Sequence, residues 1–161
     1  MKFSSSLSYM EIAYLINSME IAVKAFSELV TCPAPEKIGG VLTVLDSVTG
    51  MPLLIVPIGK LDEEKVEKYF NLSLEKAKRV FSTGLMSSWA TRDPEASKWG
   101  GAIRCQRFIF SFSGLPEVGD ESVCIAVAFW YNFINLGEID KITAISGQSF
   151  YDAVYTHVKH G

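Results

Sequence analysis

Apolar residues recur along this chain with two periods, and the alternation between them predicts the order of its elements. Ser8-Tyr9-Met10-Glu11 matches a capping box, in which the serine oxygen accepts from the third amide and the glutamate reaches back. Ile12, Ile16, Met19, Ala22 (or Val23) and Phe26 then follow at three- and four-residue steps, one stripe of a helix over about residues 8–30. Thr31-Cys32-Pro33-Ala34-Pro35 ends it, because proline cannot continue the helical hydrogen-bond ladder. After Gly39-Gly40 the run Val41-Leu42-Thr43-Val44-Leu45 reads as a strand, Asp46-Ser47-Val48-Thr49-Gly50 as a hairpin loop, and residues 51–56 as the return strand. Pro52 and Pro57 place that return strand at a sheet edge.

Asp62-Glu63-Glu64 opens a second helix, with negative charge at the positive end of its dipole. Its buried stripe is predicted to be Val66, Phe70 (or Tyr69), Ser73 (or Leu74), Ala77 and Val80 (or Phe81), and Gly84 is its C-cap. Residues 85–98 lack periodicity and read as a surface loop with room for a helical turn. A second strand pair is expected over 102–105 and 107–113. Phe108, Phe110 and Phe112 alternate with Ile109 and Ser111, so both faces of the second strand are partly apolar and it belongs in the middle of a sheet. Asp120 then starts a helix through Val123, Cys124, Val127, Phe129, Trp130 and Phe133. It is apolar nearly all round, hence sandwiched inside the fold or used between subunits. Ile139, Ile142 and Ile145, a Ser146-Gly147 break, and Phe150, Tyr151, Val154, Tyr155 and Val158 predict two closing helices. The expected fold class is α+β: an antiparallel sheet of two hairpins with flanking helices. One domain over 1–161 is expected, with an N-terminal helix (8–30) and a C-terminal helical extension (138–160).

Composition narrows the functional classes. With 48% apolar and 20% charged residues in 161, the chain suits one compact core. The net charge of −3, with no Lys/Arg-rich face, argues against a nucleic-acid partner. No window is long and uncharged enough to span a bilayer, and Glu11 and Glu20 interrupt any signal-peptide core, so neither membrane nor export is expected. Cys32, Cys105 and Cys124 are odd in number and lack ligand spacing, which suits a reducing, cytoplasmic setting without a zinc site.

The candidate chemistry gathers around the second strand pair. Ser113-Gly114, just before a helix, reads either as an amide nest for an anion or as an ordinary strand-to-helix turn. Lys76 reads first as a solvated lysine supporting its helix's carboxyl end, second as an anion-binding group in a cleft. Asp120 and Glu121 read first as helix-capping carboxylates, second as an acid/base pair, although adjacent helical residues diverge by about 100°. Gly100 and Gly101 permit close approach of another group. Trp89 and Trp99 flank the stretch before them, as core-edge aromatics or as a stacking platform for a planar ligand. Cys105 and Cys124 read as small buried hydrophobes, and His157 with His160 as at most a weak surface metal pair.

Four of these features in order resemble the GlcG/HbpS-like (haem-degrading domain) family: Val41-Leu42-Thr43-Val44-Leu45-Asp46 with Gly50, Ser73-Leu74-Glu75-Lys76-Ala77, Gly100-Gly101-Ala102-Ile103, and Ser113-Gly114 followed by Asp120-Glu121. The resemblance covers about residues 39–130 and implies a profilin-like fold, a symmetric homo-oligomer and haem as the first ligand to consider. Two departures stand against it. Where the family has an Arg-Met-Asp-Gly-Ala-like turn, this chain reads Val56-Pro57-Ile58-Gly59-Lys60, and its only histidines, 157 and 160, lie outside the matched stretch. The expected function is a homo-oligomeric small-molecule-binding domain with a site at Lys76, Trp99, Gly100, Gly101, Ser113, Gly114, Asp120 and Glu121. The alternatives are an assembly protein built on the oily helix, then a small redox or haem-degrading enzyme.

Overall fold

The computed structural model describes residues 6–30 and 38–161. The Thr31-to-Pro35 helix stop, Cys32 and Lys2 lie outside the described residues. The element order is α1 (Tyr9–Leu29), β1 (Gly39–Asp46), β2 (Pro52–Gly59), α2 (Glu63–Thr83), β3 (Ala102–Arg104), β4 (Phe108–Ser113), α3 (Glu117–Trp130), α4 (Leu136–Ser146) and α5 (Tyr151–His160). The strands form one antiparallel sheet in the order β2-β1-β4-β3, an α+β arrangement. The two predicted hairpins are joined by pairing of β1 with β4, which leaves β2 at an edge and β4 central, as the prolines and the phenylalanine run require.

Local signals explain the helix ends. Both halves of the Ser8/Glu11 capping box form, at 3.1 and 3.2 Å, and Gly84 closes α2 in the left-handed conformation. Asp46 Oδ1 accepts from the amides of Val48 and Thr49, which lowers its pKa and holds the β1–β2 turn. Ser8→Ala removes the oxygen that receives the Glu11 amide, so a loss of about 1 kcal/mol is expected in urea denaturation. An unchanged midpoint would show that the end of α1 frays without cost.

Strand parity divides the core. Phe108, Phe110 and Phe112 join Leu42, Val44 and Ile103 in the large cluster beneath α1, α3 and α5. On the opposite face Leu45, Ala102 and Ile109 pack against Ala77 and Val80 of α2. Ser111 and Ser113 share that α2 face with Ile109, because side chains two apart in a strand point the same way. The oily helix α3 is sandwiched inside the fold, with residues 122–128 all buried, so its inner face is not a subunit contact.

Several expectations need correction. Helix α3 begins at Glu117 with Pro116 at its N-cap, one turn before Asp120, and ends at Trp130, so Phe133 lies beyond it. Strand β2 runs on to Gly59 rather than stopping at 56. Phe70 is exposed and Val66 half-buried, because only the carboxyl half of α2 lies on the sheet. On α1, Leu15 is fully buried while Ile12 and Ile16 are partly so, a rotation of the stripe by part of a turn. The 85–98 stretch holds two 3₁₀ turns, Ser88–Thr91 and Pro94–Ala96, and buries Ser87 and Ser88 against β3. It is the surface loop with a helical turn that the sequence predicts, with the burial of Ser87 and Ser88 as the addition.

Candidate functional site

The predicted site begins with Lys76, which is 1% exposed. This corrects the solvated reading, and helical periodicity explains the burial. Ser73, Ala77 and Val80 are buried on the same face of α2, and Lys76 lies on that face among them. Its ammonium donates to Asp120 Oδ2 (3.1 Å), the Gly100 carbonyl (3.2 Å) and the Phe112 carbonyl, so all three protons have acceptors. One lysine thereby ties α2 to the glycine pair, to β4 and to the first turn of α3. A charge this deep survives only because it is paired and fully hydrogen-bonded.

The glycine pair leaves room for that contact. Gly101 has φ +122, and a Cβ there would lie 2.6 Å from Lys76 Nζ and 2.6 Å from Asp120 Cβ. At Gly100 a Cβ would run into the Trp89 ring, so Trp89 packs on the glycine instead of reaching the cleft. Both glycines form the wall behind the site rather than its lining.

Asp120 accepts twice, from Lys76 at Oδ2 and from the Leu115 amide at Oδ1 (2.9 Å). Burial pushes its carboxyl up, to about 7, against the downward pull of the Lys76 charge and the Leu115 amide. It is not the helix cap; it stands a turn inside and folds the β4–α3 connection back onto the helix. Glu121 turns elsewhere. It is fully buried, accepts from Ser146 Oγ at 2.9 Å, and leaves Oε2 without a partner. The two carboxyls therefore share no target, and the acid/base pair is not formed.

Burial raises the Glu121 carboxyl to about 7. The folded chain then holds a proton that the unfolded chain releases above about 4.5, so this group's contribution to stability falls as pH rises toward 7. Glu121→Gln keeps the acceptor for Ser146 and removes the charge. It should add about 2 kcal/mol over the native chain at pH 8 and little at pH 4, read from urea midpoints. An equal effect at both values would mean that Glu121 titrates normally.

Above Lys76 and Asp120 opens a cleft of about 400 Å³ between α2 and the start of α3. Trp99, Ser113, Gly114, Lys76 and Asp120 from the expected set line it. Glu121, Gly100 and Gly101 do not. Sequence reasoning missed Lys68, Tyr69 and Leu72 of α2 and the 115–117 turn, which complete the walls. A signal for the α2 residues exists: 69, 72 and 76 are spaced three and four, on the face that continues the buried stripe. Glu117 is held outside the cleft floor by Arg92 (2.7 and 2.8 Å), and it accepts the Gly100 amide at 2.8 Å. Arg92 and the Gly100 amide hold its carboxyl below the usual range against partial burial. Arg92 also lies over the rings of Trp89 and Trp99, at 5.5 and 5.8 Å, which fixes Trp99 at the rim.

Other candidates lie apart. Cys105 and Cys124 are free and buried, and burial pushes both thiols up, away from the reactive thiolate. His157 and His160 border a shallow hollow beside Lys24 and Glu28 of α1, on a different part of the surface. No helix among the described residues is long and apolar enough to cross a membrane. No protein-family model, curated protein or solved structure matches the chain.

Proposed function

We propose that this chain is a small-molecule-binding module whose ligand, planar or anionic, sits in the cleft between α2 and the start of α3. The observation that carries the reading is the cleft itself. It is concave and largely apolar, it is walled by Tyr69, Leu72, Trp99 and Leu115, and its floor is held rigid by the Lys76–Asp120 pair. Small ligand sites have this build, with few polar groups set in an apolar surround. The likeness to GlcG/HbpS-like domains supports the same reading, and with it a profilin-like fold; the free, buried Cys105 and Cys124 suit a reducing, cytoplasmic setting.

Haem, the ligand that likeness implies, would have to take the Tyr69 phenol as its axial ligand. The cleft lining has no imidazole, thiol or thioether, Lys76 has no free proton or lone pair to offer, and the carboxylates of Asp120 and Glu117 are already bound. An organic ligand without iron coordination is the better match.

The test is an amide-shift screen of the ¹⁵N-labelled full chain against aromatic acids, amines and neutral rings, with haem followed by absorbance. Saturable, stoichiometric shifts at Trp99, Ser113 and Gly114 without turnover are expected. If no compound of any class shifts those three amides, the reading fails. A homo-oligomer is a second reading, favoured by exposed Tyr9 and Met10 on α1 and Trp130 at the end of α3. A single-chain mass in light scattering would remove it.

A further inference from the structure

Resting on the cleft reading above, we infer that the ligand is a small monoanion, a carboxylate on an aromatic or apolar body, with its carboxylate at Ser113 and the amino end of α3. Two independent observations meet there. Helix α3, fourteen residues long, starts at Pro116 without a side-chain cap, so its first-turn amides receive no capping oxygen. Ser113 lines the cleft beside that helix start, is 2% exposed, and its hydroxyl has no hydrogen-bond partner among the described residues. A buried hydroxyl left unpaired costs free energy that a ligand acceptor would recover.

The donor count sets the sign of the ligand. Both carboxylates facing the cleft are engaged: Asp120 by Lys76 and Leu115, Glu117 by Arg92 and the Gly100 amide. The donors that remain are the Ser113 and Tyr69 hydroxyls, the Trp99 indole N–H and the Lys68 ammonium at the rim. A ligand that accepts hydrogen bonds is matched, whereas a cation would find hydroxyl oxygens but no open carboxylate. Lys76 is paired with Asp120 and Arg92 with Glu117, which leaves Lys68 as the cleft-lining cation without an ion pair among the described residues. One cation and a helix terminus suit a single negative charge better than a phosphate dianion. The apolar walls, Trp99, Tyr69 and Leu72, take the body of the molecule.

The probes are 2-naphthoate, 2-naphthamide and 2-naphthyl phosphate, titrated into the full chain by calorimetry and amide shifts. We expect 2-naphthoate to bind about tenfold tighter than the amide and to shift the amides of residues 117–119, the worth of one charge-assisted contact. Ser113→Ala should weaken the naphthoate by about that tenfold and the naphthamide, whose carbonyl loses only a neutral hydrogen bond, by less, so that the preference shrinks, with a native circular-dichroism spectrum. Ser113→Thr, which keeps the hydroxyl, should retain the preference. Equal binding of acid and amide would overturn the anion assignment while leaving the cleft a binding site. Tighter binding of the phosphate would overturn the monoanion. Failure of all three probes, with other compounds still shifting Trp99, would overturn the carboxylate alone. No shift at the cleft with any compound would bring down the underlying reading as well.

Discussion

Lys76→Met should lower stability by about 3–5 kcal/mol, the cost of removing one partner from a buried ion pair. The methionine matches the aliphatic stem but leaves the buried Asp120 carboxyl without its counter-ion, so that it must take up a proton, and leaves the Gly100 and Phe112 carbonyls without their donor. A solvated lysine at the end of a helix would instead give a change within about 0.5 kcal/mol, so urea denaturation separates the two roles cleanly. The double variant Lys76→Met/Asp120→Leu removes both groups and should recover part of the loss, because a buried carboxyl without its counter-ion is a penalty in either protonation state. If the double variant is no more stable than Lys76→Met, the carbonyl contacts and not the ion pair dominate. The native chain also carries two carboxyls raised by burial, Asp120 and Glu121, so their contribution to stability should fall as pH rises from about 4 to about 7 and level off above that.

Gly101→Ala should cost about 2–4 kcal/mol, combining a disfavoured backbone angle with a collision. At φ +122 an L side chain is strained, and the added methyl would press on Lys76 Nζ, on Asp120 Cβ and, at 3.1 Å, on the Phe112 carbonyl. None of the three can move freely, since each belongs to the buried network. Gly84→Ala is the control: its φ is +72 but nothing lies within 4 Å of the added Cβ, so about 1 kcal/mol is expected there. Similar losses at both positions would mean that the network relaxes around the methyl and that backbone angle alone sets the cost. In Gly101→Ala the site should suffer with the fold, since Lys76 and Asp120 form the cleft floor.

What the sequence alone determined is what neighbouring residues decide between themselves. Helix α1 and its capping box, the Asp46-to-Gly50 turn, the Gly84 stop and the central place of β4 were all legible, because period, caps and turn chemistry act over a few residues. The site was legible as a neighbourhood. Ser113, Gly114, Trp99, Lys76 and Asp120 were named from sequence, and all five meet at one cleft.

Their roles were decided only by the tertiary structure. Lys76 shares the buried face of α2 with Ser73, Ala77 and Val80, yet a lysine on that face becomes a buried tie only when acceptors meet it. Those acceptors come from 24, 36 and 44 residues away. Asp120 and Glu121 are neighbours in sequence with the same chemistry. Helical geometry turns one to the sheet and the other to the end of α4, where Ser146 receives it. The oily helix shows the same limit: its composition required burial, and only the layers of the fold decided that α1, α5 and the sheet, not a second copy, would bury its inner face.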